Sequence, residues 1–185
     1  MTKRRNIRTL KEIGLKKGWI YEAIVSTFNG KRPHAAPIGV WTQDFETLIT
    51  EIYEGSNTLR NIKRVNEFAV NFVDDMTVFF KVLHGPQEIN YEKSKTIHAP
   101  TVKGASVILE VRLREIRGLK NRYRLKAKIQ HLQINHIPRL INRAEPLLLE
   151  SLILGTKVGH LASKRIEYNL KENYRVISKV APRSV

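Results

Sequence analysis

Two short segments hold the residues of this chain that are best suited to contact a phosphorylated ligand. The first, residues 34–39, reads His-Ala-Ala-Pro-Ile-Gly, and its small side chains would let a flat ligand approach the backbone closely. Pro37 lacks the N–H that a strand ladder uses, which favours a position at a strand edge. The competing interpretation is an ordinary edge strand that ends in a bulge.

The second segment, residues 55–61, reads Gly-Ser-Asn-Thr-Leu-Arg-Asn and has the composition of a helix start. Ser56, Asn57 and Thr58 are all favourable N-cap residues, and the free N–H groups of a first helical turn favour an anion. Arg60 and Lys63 could add charge-assisted hydrogen bonds to a phosphate group. A plain capped turn that binds no ligand is the alternative.

Other familiar catalytic and metal-binding patterns are absent from the sequence. It contains no cysteine, which excludes disulfides, thiolate nucleophiles and cysteine-ligated zinc, and which fits a cytoplasmic location. No two histidines have the i, i+4 spacing that places a pair of imidazoles on one metal ion, so no metal site is predicted. No catalytic residue can be assigned. We expect structural or surface roles for the six histidines, which are His34, His84, His98, His131, His136 and His160.

Charge is the most unusual property of the composition. The 185 residues include 33 Lys and Arg against 17 Asp and Glu, a net charge of +16, and such an excess attracts polyanions or phosphorylated ligands. A solvated charged surface is one interpretation, and contact between nucleic acid and a basic strand face is the other. That face consists of Arg112, Arg114, Arg122, Arg124, Lys126 and Lys128. The N-terminus carries no apolar leader and no stretch approaches the ~20 residues of a membrane span, so we expect a soluble protein.

The periodicity of the apolar residues predicts the elements that position the two segments. β-Branched and aromatic residues at 19–28 predict a strand, and Asn29 and Gly30 predict a tight hairpin turn into a second strand. Residues 34–39 then lie in that second strand, and residues 55–61 begin a helix after the third. The predicted elements are a helix at 7–17, strands at 19–28, 33–41, 47–53 and 68–73, a helix from 56–58 to 66, a helix capped by Asp74 or Asp75 that ends at Gly85, and an irregular stretch at 86–104.

The second half of the chain predicts a long hairpin followed by helices. Apolar and mostly basic residues alternate at 107–113 and 123–129, which predicts two strands joined by a loop at 118–121, with a bulge at His131. Two helices with apolar faces follow, and they could cover each other, the strands or a dimer partner. A structural protein that binds its partner through the helix at 148–161 is therefore a further alternative.

Four segments resemble, in their order and spacing, a known family. They are residues 21–27 (Tyr-Glu-Ala-Ile-Val-Ser-Thr), 34–39 (His-Ala-Ala-Pro-Ile-Gly), 58–62 (Thr-Leu-Arg-Asn-Ile) and 68–71 (Phe-Ala-Val-Asn). Over residues 15–135 the chain resembles an archaeal family of uncharacterised proteins in the FMN-binding split-barrel group, beside flavin reductase-like and pyridoxamine-phosphate oxidase-like domains. The resemblance implies an α+β fold, with a six-stranded antiparallel split β-barrel of Greek-key type at residues 1–140 and a C-terminal helical subdomain at residues 141–185.

The resemblance also implies a cofactor and the residues that hold it. FMN would bind near the interface of a homodimer, with residues 35–39 along the flavin ring and residues 56–61 at the phosphate. His34 would reach a flavin edge or a substrate, and Asn71 matches a polar position on a neighbouring strand. The implied cofactor-binding residues are His34, Ala35, Ala36, Pro37, Ile38, Gly39, Ser56, Asn57, Thr58, Arg60, Asn61 and Asn71.

The function implied by the resemblance is that of a flavoprotein oxidoreductase similar to flavin reductases, with a nicotinamide as candidate electron donor and an unidentified acceptor. A flavin carrier without turnover of its own is equally compatible with the residues. Pyridoxal phosphate or a deazaflavin are alternative cofactors. The alternative from another class is a nucleic-acid-binding basic β-barrel without cofactor, although aromatic residues do not interleave on its basic face.

Overall fold

The structure is a computed structural model that describes residues 3–159 and 161–182, with side chains described from residue 7 onward. His160, for which a structural or surface role is predicted, lies outside the described residues. The strands are β1 (Tyr21–Asn29), β2 (Arg32–Thr42), β3 (Thr47–Tyr53), β4 (Glu67–Phe72), β5 (Tyr91–Lys93), β6 (Pro100–Val102), β7 (Val107–Gly118) and β8 (Arg122–Ile134). The helices are α1 (Lys3–Glu12), α2 (Asn57–Val65), α3 (Met76–His84), α4 (Ala144–Gly155) and α5 (Ser163–Val180), with a 3-10 turn at Pro86–Glu88.

Six of the strands close into a barrel in the order β1-β2-β3-β8-β7-β4, and neighbouring strands run antiparallel. The predicted α+β class and six-stranded antiparallel barrel are therefore confirmed. β1 and β2 form the predicted hairpin, with Asn29 opposite Arg32 across a two-residue loop. Gly30 has a φ of 63°, while Asn29 stays in the strand, so only the glycine of the predicted turn pair needs positive φ.

The barrel interior is apolar, and α2 contributes to it. α2 packs against β1, β2 and β3, and its Leu59 and Ile62 are buried in the same cluster as the inward side chains of the strands. Burial of this face fixes the helix on the barrel, because removing each such side chain from water contributes roughly 1.5–3 kcal/mol. The start of α2 is therefore held in a defined place beside β2.

Residues 86–104, predicted to be irregular, instead contain the 3-10 turn and the two-stranded sheet of β5 and β6. The stretch is tied to the barrel by Glu110, which is only 1% exposed although the alternation placed it on the polar face of β7. Its carboxylate accepts hydrogen bonds from the backbone N–H groups of Lys95 at 2.7 Å and Thr96 at 2.6 Å. Hydrogen bonds between residues far apart in sequence leave no periodic pattern of apolar residues. The sequence pattern therefore did not predict that Glu110 is buried.

Two further boundaries differ from prediction by a few residues. The helix predicted at residues 7–17 spans Lys3–Glu12 and stops before Gly14, whose φ of 95° is incompatible with a helix. The bulge predicted at His131 lies one residue earlier: Glu110 pairs with His131 and Val111 with Ile129, so Gln130 is the extra residue.

The two C-terminal helices, α4 and α5, pack on each other, and the segments that flank them contact the barrel beside β1. Ile141 forms a bridge with Glu22, and the side-chain N–H group of Asn142 donates to the carbonyl oxygens of Ile20 at 2.7 Å and Val180 at 2.9 Å. The apolar face predicted for α4 is largely exposed, with Leu152 63% accessible. No helix within the described residues has both the length and the apolar character that a membrane span requires.

Candidate functional site

The first turn of α2 has the geometry of an anion-binding helix start. Ser56 is the N-cap: its backbone is extended (φ −67°, ψ 148°), and its Oγ accepts a hydrogen bond from the N–H of Leu59 at 3.3 Å. The N–H groups of Asn57 and Thr58 find no acceptor within the described part of the chain. With no acidic residue in this turn, their positive partial charge remains available to an anion.

A contact between His34 and Thr58 brings the two predicted segments together. His34 Nε2 lies 3.0 Å from Thr58 Oγ1, and Thr58 is only 2% exposed. Burial lowers the pKa of His34 below its ordinary value, because the half-buried ring loses hydration that would favour the imidazolium. The neutral imidazole therefore prevails at neutral pH.

Asn61 holds α2 against β1. Its Nδ2 donates to Thr27 Oγ1 at 3.0 Å, and both residues are buried. Arg64, one turn later, donates to the carbonyl oxygen of Phe28 at 2.9 Å. Asn57 and Arg60, by contrast, are exposed on the helix. Of the residues predicted on α2, Asn61 therefore supports the position of the helix, while Asn57 and Arg60 remain accessible to a ligand.

β2 has an open edge next to this helix start. It pairs with β1 along residues 32–40, but it pairs with β3 only along residues 40–42. The hydroxyl of Thr50 donates to the carbonyl oxygen of Gly39 at 3.0 Å and closes the end of this opening. Residues 34–39 are all half-buried. Pro37 lies in the part of β2 that does not pair with β3, so its missing N–H leaves no gap in that ladder. The predicted segment is thus a partly covered backbone edge.

A cavity of about 530 Å³ continues from this edge. Gly39 and Trp41 of β2 and Glu51 and Tyr53 of β3 belong to its lining. Tyr53 is three residues from Ser56, so the same stretch of chain links the cavity to the start of α2. A second cavity, of about 740 Å³, lies beside residues 139–147 and contains none of the predicted cofactor-binding residues in its lining.

Asn71 is the predicted residue that does not join the others. It is completely buried, and its Nδ2 donates to the carbonyl oxygen of Ile24 and to Ser26 Oγ, both at 2.8 Å. Its Oδ1 accepts a hydrogen bond from the N–H of Val102 at 2.9 Å. Both amide hydrogens are thus committed within the protein, and Asn71 links β1, β4 and β6.

With the open strand edge, the helix start and the barrel order established, comparison with known proteins decides the family. The model of the protein of unknown function (DUF447) N-terminal domain matches residues 21–136. The chain belongs to the DUF447 family. The archaeal family predicted from the sequence is thereby confirmed.

One protein sequence and two solved structures are similar to this DUF447 chain over most of its length. The uncharacterized protein MJ1453 of Methanocaldococcus jannaschii is 27% identical over 170 residues, covering 87% of this chain and 84% of the relative. The crystal structure of the FMN-bound protein MM1853 from Methanosarcina mazei has a TM-score of 0.59 at 23% identity, covering 92% of this chain and 91% of that one. The flavin reductase HpaC, solved with NADP+, also has a TM-score of 0.59, at 15% identity, covering 73% of this chain and 92% of that one.

Several residues of the candidate site and of the neighbouring cavity were not found from the sequence. Thr27 was predicted to lie in a strand, but its hydrogen bond with Asn61 was not predicted. The cavity residues Trp41 and Tyr53 were not singled out. Arg175 and Lys179 on α5 also line the cavity, and their i, i+4 spacing was a signal that they share one helix face. No group of three or more His, Asp or Glu side chains in the described residues is placed to hold a metal ion.

Proposed function

We propose that this protein binds FMN, with the phosphate at the start of α2 and the flavin along the open edge of β2. The observation that carries the proposal is the His34–Thr58 contact at 3.0 Å, which joins the two segments into one site. The N–H groups of Asn57 and Thr58, which have no acceptor among the described residues, and the accessible Arg60 suit a dianionic phosphate. Residues 35–39 suit a flat ring with polar edges, because they offer backbone groups and little side-chain bulk.

Ser56 and Asn61 support this site by holding α2 in place. Ser56 caps the helix, and Asn61 fixes it on β1, so the phosphate-binding turn is held by buried contacts. Asn71 takes no part in the proposed site, because its amide hydrogens are committed to Ile24 and Ser26. MM1853, a DUF447 protein whose structure matches 92% of this chain, is FMN-bound, and this supports the proposal.

We further propose an oxidoreductase activity that depends on the bound flavin. FMN would supply reversible acceptance of electrons or a hydride, and the protein would supply binding, orientation and access. Burial lowers the pKa of His34 and keeps its ring neutral at neutral pH, so His34 adds no charge beside the start of α2. The NADP+ complex of HpaC, which shares the fold, makes a nicotinamide the electron donor to test first. A homodimer with FMN near its interface belongs to the same proposal.

The absorption spectrum of the purified protein tests FMN binding directly. We expect flavin bands, release of FMN on denaturation, and one FMN per chain after reconstitution. FMN should bind about 100-fold or more tightly than riboflavin, which lacks the phosphate, since two or more charge-assisted hydrogen bonds depend on it. A colourless protein that takes up no added FMN contradicts the proposal, and equal affinities for FMN and riboflavin contradict the phosphate site.

The nucleic-acid alternative has weaker support from the side-chain contacts. Cations of the predicted basic face are engaged with carboxylates: Arg112 with Glu67 at 2.6 Å, and Lys126 with Glu115 at 2.9 Å. Arg122 and Arg124 both contact Glu51. Their charge is therefore partly neutralised before any phosphate backbone approaches. A salt titration against single-stranded and duplex nucleic acid tests this alternative, which predicts binding that persists at moderate salt.

A further inference from the structure

The cavity beside Gly39 has one wall from the barrel, and that wall is aromatic and basic. Trp41 and Tyr53 lie on it, and Tyr53 is 65% exposed. The Arg124 guanidinium lies 5.8 Å from the centre of the Trp41 ring, within cation–π range. The volume of about 530 Å³ is within the range of small-molecule sites.

The opposite wall comes from the C-terminal region and is basic. Arg143 precedes α4, and Arg175 and Lys179 lie one turn apart on α5. Arg175 pairs with Glu172 at 2.9 Å on its own helix, yet its side chain remains 64% exposed. Lys179 forms no ion pair with any described residue. Two helix cations therefore face the cavity with capacity for a further anion.

The cations of the cavity exceed the carboxylates that could neutralise them. Glu51 is shared between Arg122 at 2.9 Å and Arg124 at 2.6 Å, and one carboxylate cannot neutralise two guanidinium groups. Glu22 is engaged by Arg143 at 2.8 Å. The lining thus contains the carboxylates Glu22 and Glu51 against the cations Arg122, Arg124, Arg143, Arg175 and Lys179.

We propose that this cavity binds a second ligand, an aromatic ring with a phosphorylated chain, such as a nucleoside diphosphate. Its ring would lie against Trp41 and Tyr53, and its phosphates would be held by Arg143, Arg175 and Lys179. Guanidinium and ammonium groups are the side chains that bind phosphate best, and flat aromatic walls bind rings at little entropic cost. The position of this ligand beside a flavin rests on the proposed function, whereas its binding to the cations does not.

Calorimetric titration with ADP, pyrophosphate and adenosine tests the proposal on the full chain. In the double variant Arg175→Gln/Lys179→Gln, ADP affinity should fall about tenfold or more, because two charge-assisted contacts are lost. The matched control is Lys164→Gln/Lys171→Gln, which removes the same charge from exposed positions of α5 that do not line the cavity. Its ADP affinity should stay within about twofold of the wild type, since distant surface charges are screened.

The fluorescence of Trp41 locates the bound probe. The chain has two tryptophans, so a Trp19→Phe background leaves Trp41 as the only one, and ADP should change its emission. Titration is repeated on FMN-loaded protein, where ADP should still bind. Unfolding temperatures of all variants confirm that they are folded.

The outcomes separate this proposal from the one on FMN. ADP that binds no more tightly than adenosine, or that loses equal affinity in both double variants, overturns the second site. FMN that displaces ADP also overturns it, because the cavity would then belong to the cofactor. Protein that takes up no FMN but binds ADP through Arg175 and Lys179 contradicts the proposed function and supports the nucleotide site.

Discussion

The imidazole of His34 and the hydroxyl of Thr58 lie 3.0 Å apart, and this pair connects the open edge of β2 to the first turn of α2. Their separation in sequence is 24 residues, so the contact exists only because the barrel places the two elements side by side. Thr58 is buried while His34 is half-buried. The pair is therefore a direct side-chain contact between the strand edge and the helix start.

The lowered pKa of His34 predicts a pH-dependent part of the stability. In the unfolded chain His34 has the ordinary histidine pKa of about 6.5. As pH falls below this value, the unfolded chain is protonated at His34 before the folded state is. This contribution is fully present above about pH 6.5 and is lost as pH falls through the lower folded pKa. The unfolding free energy of the wild type should therefore decrease more steeply than that of His34→Gln between about pH 7 and 5.

Urea denaturation at a series of pH values measures that difference, and the NMR titration of the His34 ring measures the pKa itself. Bound FMN should raise this pKa, because a nearby phosphate favours the imidazolium. Parallel pH profiles for the wild type and His34→Gln would contradict the assignment.

Ser56→Asp separates the role of the helix cap from that of a phosphate site. Aspartate is as good an N-cap as serine and favours the helix dipole, so the unfolding free energy should stay within about 0.5 kcal/mol of the wild type or exceed it. The carboxylate would repel a phosphate, so FMN affinity should fall about tenfold or more while riboflavin affinity is unchanged. Ser56→Ala is the control: it should cost about 1 kcal/mol of stability. Equal effects of Ser56→Asp on both flavins would argue against a phosphate at this turn.

Asn61 and Asn57 allow a matched test of which α2 side chain supports the fold. Asn61→Ala removes the 3.0 Å bond to Thr27 and leaves a buried hydroxyl without its partner, which should cost about 1–3 kcal/mol of unfolding free energy. Asn57→Ala, the same change at an exposed position of the same helix, should cost less than about 0.5 kcal/mol. Chemical denaturation compares the two. The interpretation fails if both variants lose the same stability.

The sequence predicted the elements whose signals are local. The strand at residues 47–53 and the helix that ends at Asn66 were correct to within a residue, because apolar alternation and capping residues act over a few positions. Both segments of the proposed cofactor site were singled out from local composition in the same way, and their role stays a prediction. The position of each half relative to the other came from the family resemblance, since no local pattern indicates that His34 contacts Thr58.

Features that depend on tertiary packing were not predictable in this way. Glu110 reads as one more polar residue of an alternating strand, yet it is buried because it binds two backbone N–H groups from a distant loop. The cavity beside Gly39 combines residues from β1, β2, β3 and β8 with others from the C-terminal region. The net charge left a solvated surface and contact with an anion as alternatives, and it could not assign Arg143, Arg175 and Lys179 to one place.

Gly39 should be intolerant of even one added methyl group. A Cβ at this position would lie 2.8 Å from Ile20 Cγ2, and this methyl is held on a β-branched side chain with restricted χ1 rotation. Gly39→Ala should therefore cost about 1–3 kcal/mol of unfolding free energy, as other overpacked sites do. Gly118→Ala is the control, because its nearest neighbour, Tyr123 Cε1, lies at an ordinary 3.6 Å.

A second variant distinguishes loss of packing from loss of the site. Ile20→Leu moves the branch away from the backbone, so Gly39→Ala/Ile20→Leu should recover most of the stability that Gly39→Ala loses. If the flavin lies along the edge of β2, the added methyl still narrows the approach to that backbone, and FMN affinity should remain reduced in the double variant. Recovery of stability and of FMN affinity together would show that Gly39 serves only the packing against Ile20 and would place the flavin elsewhere.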